Sequence, residues 1–177
     1  MLDWLGKTTS PDPLSAMRNK RLTGSDLECD QTIGKIDLHI DPSAKFKGSW
    51  CSPEGRLVEL DVKLETAPRW IGVHIDLPNW DVLGLDWFGF ALRHGASKTI
   101  QFRAALRSHM ADGAPFHDHF FSRDLVANAS ASDHYDLIAP SHVPDLPPKA
   151  RRRELVLFLP TILDFRWSLH DLRFIGL

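Results

Sequence analysis

The sequence predicts an all-β domain: an antiparallel two-sheet sandwich of jelly-roll type behind a short N-terminal arm. Three observations predict it. Between Leu57 and Arg107 apolar and polar residues alternate with a period of two in one segment after another. That pattern belongs to strands with one buried and one wet face. Gly, Pro, Asn and Asp punctuate these segments at short spacing, and no long helical periodicity or fixed-length repeat appears after residue 25.

The arm, residues 1–25, carries Pro11, Pro13 and Gly24 without strand periodicity, and Leu14 to Leu22 reads as a short helix; residues 26–177 form the sandwich. Strands are expected at Thr32 to Ile40, Phe46 to Cys51, Leu57 to Glu65, Trp70 to Leu77, Val82 to Arg93 and Lys98 to Ser108. Turns separate them at Asp41-Pro42, Pro53-Glu54-Gly55, Pro68, Pro78-Asn79, His94-Gly95 and Asp112-Gly113. Further strands read at Pro115 to Phe121, Asp124 to Ala127, His134 to Ala139, Glu154 to Leu159 and Phe165 to Phe174. Four prolines make Ala139 to Ala150 a surface loop.

With 177 residues, 43% hydrophobic and 25% charged, the chain is sized for a single domain with a substantial core. A net charge of -2 gives no electrostatic reason to expect nucleic acid. Its one basic cluster, Lys149 with Arg151 to Arg153, reads as a solvated loop end. No stretch is long enough for a membrane-spanning helix. The N-terminus lacks the apolar core of a secretory signal, so the cytoplasm is the expected compartment. Cys29 and Cys51, the only cysteines, fit no metal spacing. They read as free thiols, with a single bridge as the alternative.

The wet face carries the functional expectation. Gly72, Gly89, Ala91 and Ala105 fall at outward positions, where small residues would open a trough if neighbouring segments pair. Trp70, His74, Trp87, Arg93, Gln101, Arg103 and Arg107 would surround it, with Trp80 on an adjacent loop. Tryptophan stacks on the C–H faces of pyranose rings, and Arg, Gln and His read hydroxyls. The leading expectation is therefore non-catalytic binding of a carbohydrate or glycan. A protein or self contact through the tryptophan face is the alternative.

These alternating strands with outward Trp and Arg, closed by Phe165-Arg166-Trp167-Ser168-Leu169-His170-Asp171-Leu172, resemble the non-catalytic carbohydrate-binding modules of jelly-roll fold. The resemblance covers residues 30–177. It implies a sugar site on a concave face or at loop tips, with Trp70, His74, Trp87, Arg103 and Arg107 on that face. It also implies a structural calcium ion, for which Asp37, Asp41 and Asp171 could supply oxygen; no other cofactor is expected.

His117 and His119 share a strand face, as in the metal site of cupin-type barrels, so a cupin-like metal enzyme is a third reading. The glutamate such a site needs a few residues later is missing: Ser122-Arg123-Asp124 follows. No nucleophile elbow or phosphate-cradling glycine loop is present.

Overall fold

The computed structural model describes residues 12–78, 81–110 and 115–177. Trp80, the turn at Asp112-Gly113, Asn79 and the first eleven residues of the arm lie outside them. Among the described residues twelve strands form: β1 (Leu22–Asp26), β2 (Asp30–Ile33), β3 (Ile36–Ile40), β4 (Phe46–Ser52), β5 (Val58–Leu64) and β6 (Ile71–Asp76), then β7 (Phe88–Ala96), β8 (Ile100–Met110), β9 (His117–Ala127), β10 (Ser132–Ile138), β11 (Ala150–Phe158) and β12 (Phe165–Gly176). They make two antiparallel six-stranded sheets. The first sheet runs β1-β4-β5-β12-β7-β10 and the second β2-β3-β6-β11-β8-β9. The predicted all-β sandwich is the observed one.

The alternation read from the sequence assigns faces correctly within strands. Val58, Leu60 and Val62 of β5 are buried, as are Ile71, Val73 and Ile75 of β6, Phe88 and Phe90 of β7, and Phe102, Ala104 and Leu106 of β8. These side chains meet between the sheets with Trp167, Leu169 and Leu172 of β12, forming one core.

Boundaries differ where local chemistry overrides the pattern. Thr32 to Ile40 is a hairpin rather than one strand, because Gly34 adopts a φ of 66° and turns the chain between Ile33 and Ile36. The expected helix shrinks to Ser15–Arg18 (α1), and Leu22–Asp26 leaves the arm to become an edge strand on β4. Helix α1 bridges the sheets at one end: Met17 packs against Gly34, while Arg18 donates to Asp171 (2.6 Å) and to the Leu172 carbonyl. Val82–Gly84 is a 3-10 turn, not strand, and His94-Gly95 continues β7 instead of ending it.

One correction matters for the site. Expecting consecutive segments to pair makes β6, β7 and β8 neighbours, yet β7 lies in the first sheet and β6 and β8 in the second. Crossing between sheets is what lets a jelly roll close both faces of its core.

Candidate functional site

Cross-strand register gives the outer face of the second sheet three successive rows. His39, Gly72, Phe158, Arg103 and Asp124 lie side by side. Next come Asp37, His74, Val156, Ala105 and Phe120, then Asp76, Glu154, Arg107 and Asp118. The small residues form a floor: Ala105 and Val156 point outward yet are fully covered by longer neighbours.

At one end of this face Gln101, Arg103, Phe120, Asp124 and Phe158 line a depression of about 540 Å³. The rings of Phe120 and Phe158 sit 5.5 Å apart, tilted by 36°. The Arg103 guanidinium lies 4.2 Å from the Phe120 centroid and its Nε 3.7 Å from Asp124, while Gln101 donates to Asp124 at 2.7 Å. The register between β8 and β9 slips at this point, between the Arg103–Asp124 and Ala105–Phe120 pairs. A second copy of the motif follows along the same strands. Arg107 forks onto Asp118 through two 2.7 Å bonds and covers Phe116 at 3.7 Å.

Beneath and beside these units runs a buried polar network. Glu154 Oε1 takes hydrogen bonds from His74 (3.1 Å) and His109 (2.7 Å), and Oε2 takes one from Arg152 (2.6 Å), which also reaches Asp76 at 3.0 Å. Burial pushes the Glu154 carboxyl up, but the two histidines and Arg152 outweigh it and hold the group near 2. His39 stacks edge-on against His74 and bonds Asp30 at 2.7 Å. Arg152, expected as part of a solvated loop end, is thus tied into the sheet.

The sequence-predicted residues divide between the faces. His74, Gln101, Arg103 and Arg107 share the second sheet, with Trp70 half-buried just before β6. Asp41 fixes that approach: its carboxylate accepts from Arg69 N–H and Nε (both 2.9 Å) and from Ser43, which holds it well below the usual carboxylate range. Arg93 belongs to the opposite sheet and Trp87 lies just before β7 of that sheet, so neither joins the set. Gly89 and Ala91 go with them, so the single trough read from the sequence is divided between two faces.

The aspartates expected to offer oxygen to calcium each have a protein partner. Asp41 is spent on Arg69 and Ser43, Asp37 bonds Thr32 at 2.7 Å, and Asp171 on the other sheet pairs with Arg18 and Arg173. His117 and His119 do share a side, but both turn to the Asp145 carboxylate, at 3.5 and 3.8 Å. Among the described residues no group of three or more His, Cys, Asp or Glu is placed to hold a metal ion. Cys29 and Cys51 are free thiols.

Sequence reading missed Phe158 and Phe120. Leu155-Val156-Leu157-Phe158-Leu159 is apolar throughout, so the outward pair Val156 and Phe158 hides among core residues. Phe120 follows the eye-catching His117-Asp118-His119 and reads as its apolar flank.

The outer face of the first sheet carries a second, open groove of about 550 Å³ across β4, β5, β12 and the end of β7. Its two tryptophans, Trp50 and Trp167, pack with the core, so the groove offers hydroxyls and ion pairs instead of exposed rings.

No protein-family model matches this sequence, and no curated protein matches it. Solved structures match in fold. In fold, the chain resembles the jelly-roll carbohydrate-binding modules. The family 11 module of a cellulosomal cellulase from Clostridium thermocellum aligns with TM-score 0.53 and 11% identity, covering 88% of this chain and 96% of that one. The same family 11 module in complex with a β-1,3-1,4-mixed-linked tetrasaccharide aligns with TM-score 0.51. The N-terminal cellulose-binding domain of Cellulomonas fimi β-1,4-glucanase C gives 0.55 at 12% identity over 87% and 94%. A xylan-binding domain from Paenibacillus barcinonensis Xyn10C gives 0.50 at 10% identity over 89% and 95%. Among the described residues no helix is long and apolar enough to cross a membrane.

Proposed function

We propose that this domain binds carbohydrate, without catalysis, on the outer face of its second sheet. The observation that carries the reading is the open depression where Phe120 and Phe158 meet Gln101, Arg103 and Asp124. Sugar rings bury C–H faces against aromatic rings and hand their hydroxyls to planar donors and acceptors. Here both kinds of group sit on strands, so little is ordered on binding. Arg107 and Phe116 extend the same chemistry along β8 and β9, and Trp70 flanks the far edge. His74 is too buried to touch a ligand and acts beneath the face, through Glu154. The fold shared with cellulose- and xylan-binding domains supports the reading.

The carboxylates of this face support binding rather than hydrolysis. A glycosidase needs one carboxylic acid kept protonated. Glu154 is driven the other way, and Asp118 and Asp124 are each held by an arginine.

Native affinity electrophoresis against soluble cellulose derivatives, mixed-linked β-glucan and xylan tests this. Retardation by at least one polysaccharide is expected, and Phe120→Ala should weaken it about tenfold while leaving the melting temperature in place. Migration unaffected by every polysaccharide in the panel would overturn the reading.

A further inference from the structure

We propose a second ligand site in the groove on the outer face of the first sheet, one that takes a neutral, polyhydroxylated molecule about the size of a short oligosaccharide. It is independent of the site proposed above and lies on the other side of the core.

The groove has the volume of a small-molecule site. Its walls are two ion pairs, Arg56 with Glu59 and Arg166 with Asp61 (2.7 Å). Two guanidinium groups and two carboxylates cancel, so the described lining of the groove has no free charge with which to select an anion or a cation. A paired guanidinium keeps N–H donors to spare, and its carboxylate keeps lone pairs. Donors and acceptors thus alternate along the walls. Vicinal hydroxyls, each able to donate and accept, complement that alternation, whereas a phosphate or an apolar ligand does not. Between the walls Ser168 bonds His170 at 3.0 Å and sits within 3.5 Å of the Gly95 carbonyl, adding a hydroxyl and an imidazole to the floor. With no exposed ring among its described lining residues to stack on, this site reads hydroxyls edge-on and binds more weakly than an aromatic platform.

Cys51, half-buried, lines the groove and provides a built-in reporter. With Cys29→Ser as background, Cys51 is the only thiol, and its alkylation by iodoacetamide can be followed by intact mass. The probes are cellobiose and the mixed-linked β-1,3-1,4 tetrasaccharide. At about ten times its dissociation constant, an occluding sugar should slow alkylation about tenfold. The slowing should persist in Phe120→Ala, where the other face is weakened, and vanish in Ser49→Trp, which fills the groove from an exposed position. Arg166→Met, at a largely exposed residue, should weaken it. Alkylation unchanged by either sugar up to solubility would overturn the proposal, and so would protection that disappears with Phe120→Ala. Because the Phe120→Ala difference in retardation reads the second sheet and Cys51 reads the first, either site can fail alone.

Discussion

The two outer faces of the sandwich obey the same alternation rule and are furnished with the same residue types, yet they treat arginine differently. On the second sheet Arg107 is 13% exposed, lies on Phe116 and forks onto Asp118. On the first sheet Arg166 is 70% exposed and reaches a half-buried Asp61 from solvent. A guanidinium sheathed by aromatic rings over a covered floor is part of a rigid surface. One standing in water is a loose contact of small energetic consequence. The difference identifies which face is preorganised, and each prediction below presses on it.

The largest effect belongs to Glu154, 2% exposed and the acceptor for three cationic or imidazole groups. Glu154→Ala strands His74, His109 and Arg152, and should cost about 3–4 kcal/mol in urea or thermal unfolding. A cost below about 1 kcal/mol would mean that the second face is no more built than the first.

Acid separates the faces next. His94 is fully buried in the core beneath the first sheet, accepting from Trp167 Nε1 at 3.3 Å with its own Nε2 unpartnered. Burial, then the charge of nearby His134, lowers it to about 4. Above the ordinary histidine value both folded and unfolded forms are neutral. As pH falls from 6.5 toward 4 only the unfolded chain takes the proton, so stability is lost across that window, by about 2–3 kcal/mol at pH 4.5. Glu154, held near 2, stays ionised throughout. Hydrogen exchange at pH 4.5 should therefore show β7 and β12 opening more readily than β6 and β11. His94→Leu should flatten that dependence.

Much of this was legible in the sequence, and the failures have identifiable causes. Alternation assigned Leu60, Ile75, Phe90 and Leu106 to the core because period two is a local property of a strand. It could not say that β7 leaves β6 and β8 for the other sheet, since sheet partnership is decided by non-local packing. That is why alternation alone places Trp87 and Arg93 with Gln101 and Arg103. Phe158 was lost for the converse reason: an outward apolar residue among inward ones breaks no visible pattern. His74 was found by position, but its burial depends on Glu154, eighty residues away.

Ligand binding gives a smaller and more selective effect. Phe120→Ala removes a stacking surface on the second sheet and should weaken binding there about tenfold. Trp87→Ala, which removes the more exposed ring from the first sheet, should leave that affinity within about twofold. Equal losses would mean that the two faces bind as one, and that register does not determine the site.

The smallest expected change is the most exacting test of the contrast. Arg166→Ala and Arg107→Ala remove the same group, each from a pair with an aspartate at 2.7 Å. If geometry alone set the energy, the two would cost the same. Water decides otherwise. Solvent screens the Arg166–Asp61 pair and rehydrates Asp61 once it is alone, so Arg166→Ala should change stability by no more than about 0.5 kcal/mol, and less in high salt. Arg107→Ala uncovers Phe116 and leaves Asp118 only 17% exposed without its fork, so its cost should be larger and nearly independent of salt. A pair of urea titrations at low and high ionic strength reads both quantities, and matching values for the two arginines would erase the distinction between the faces.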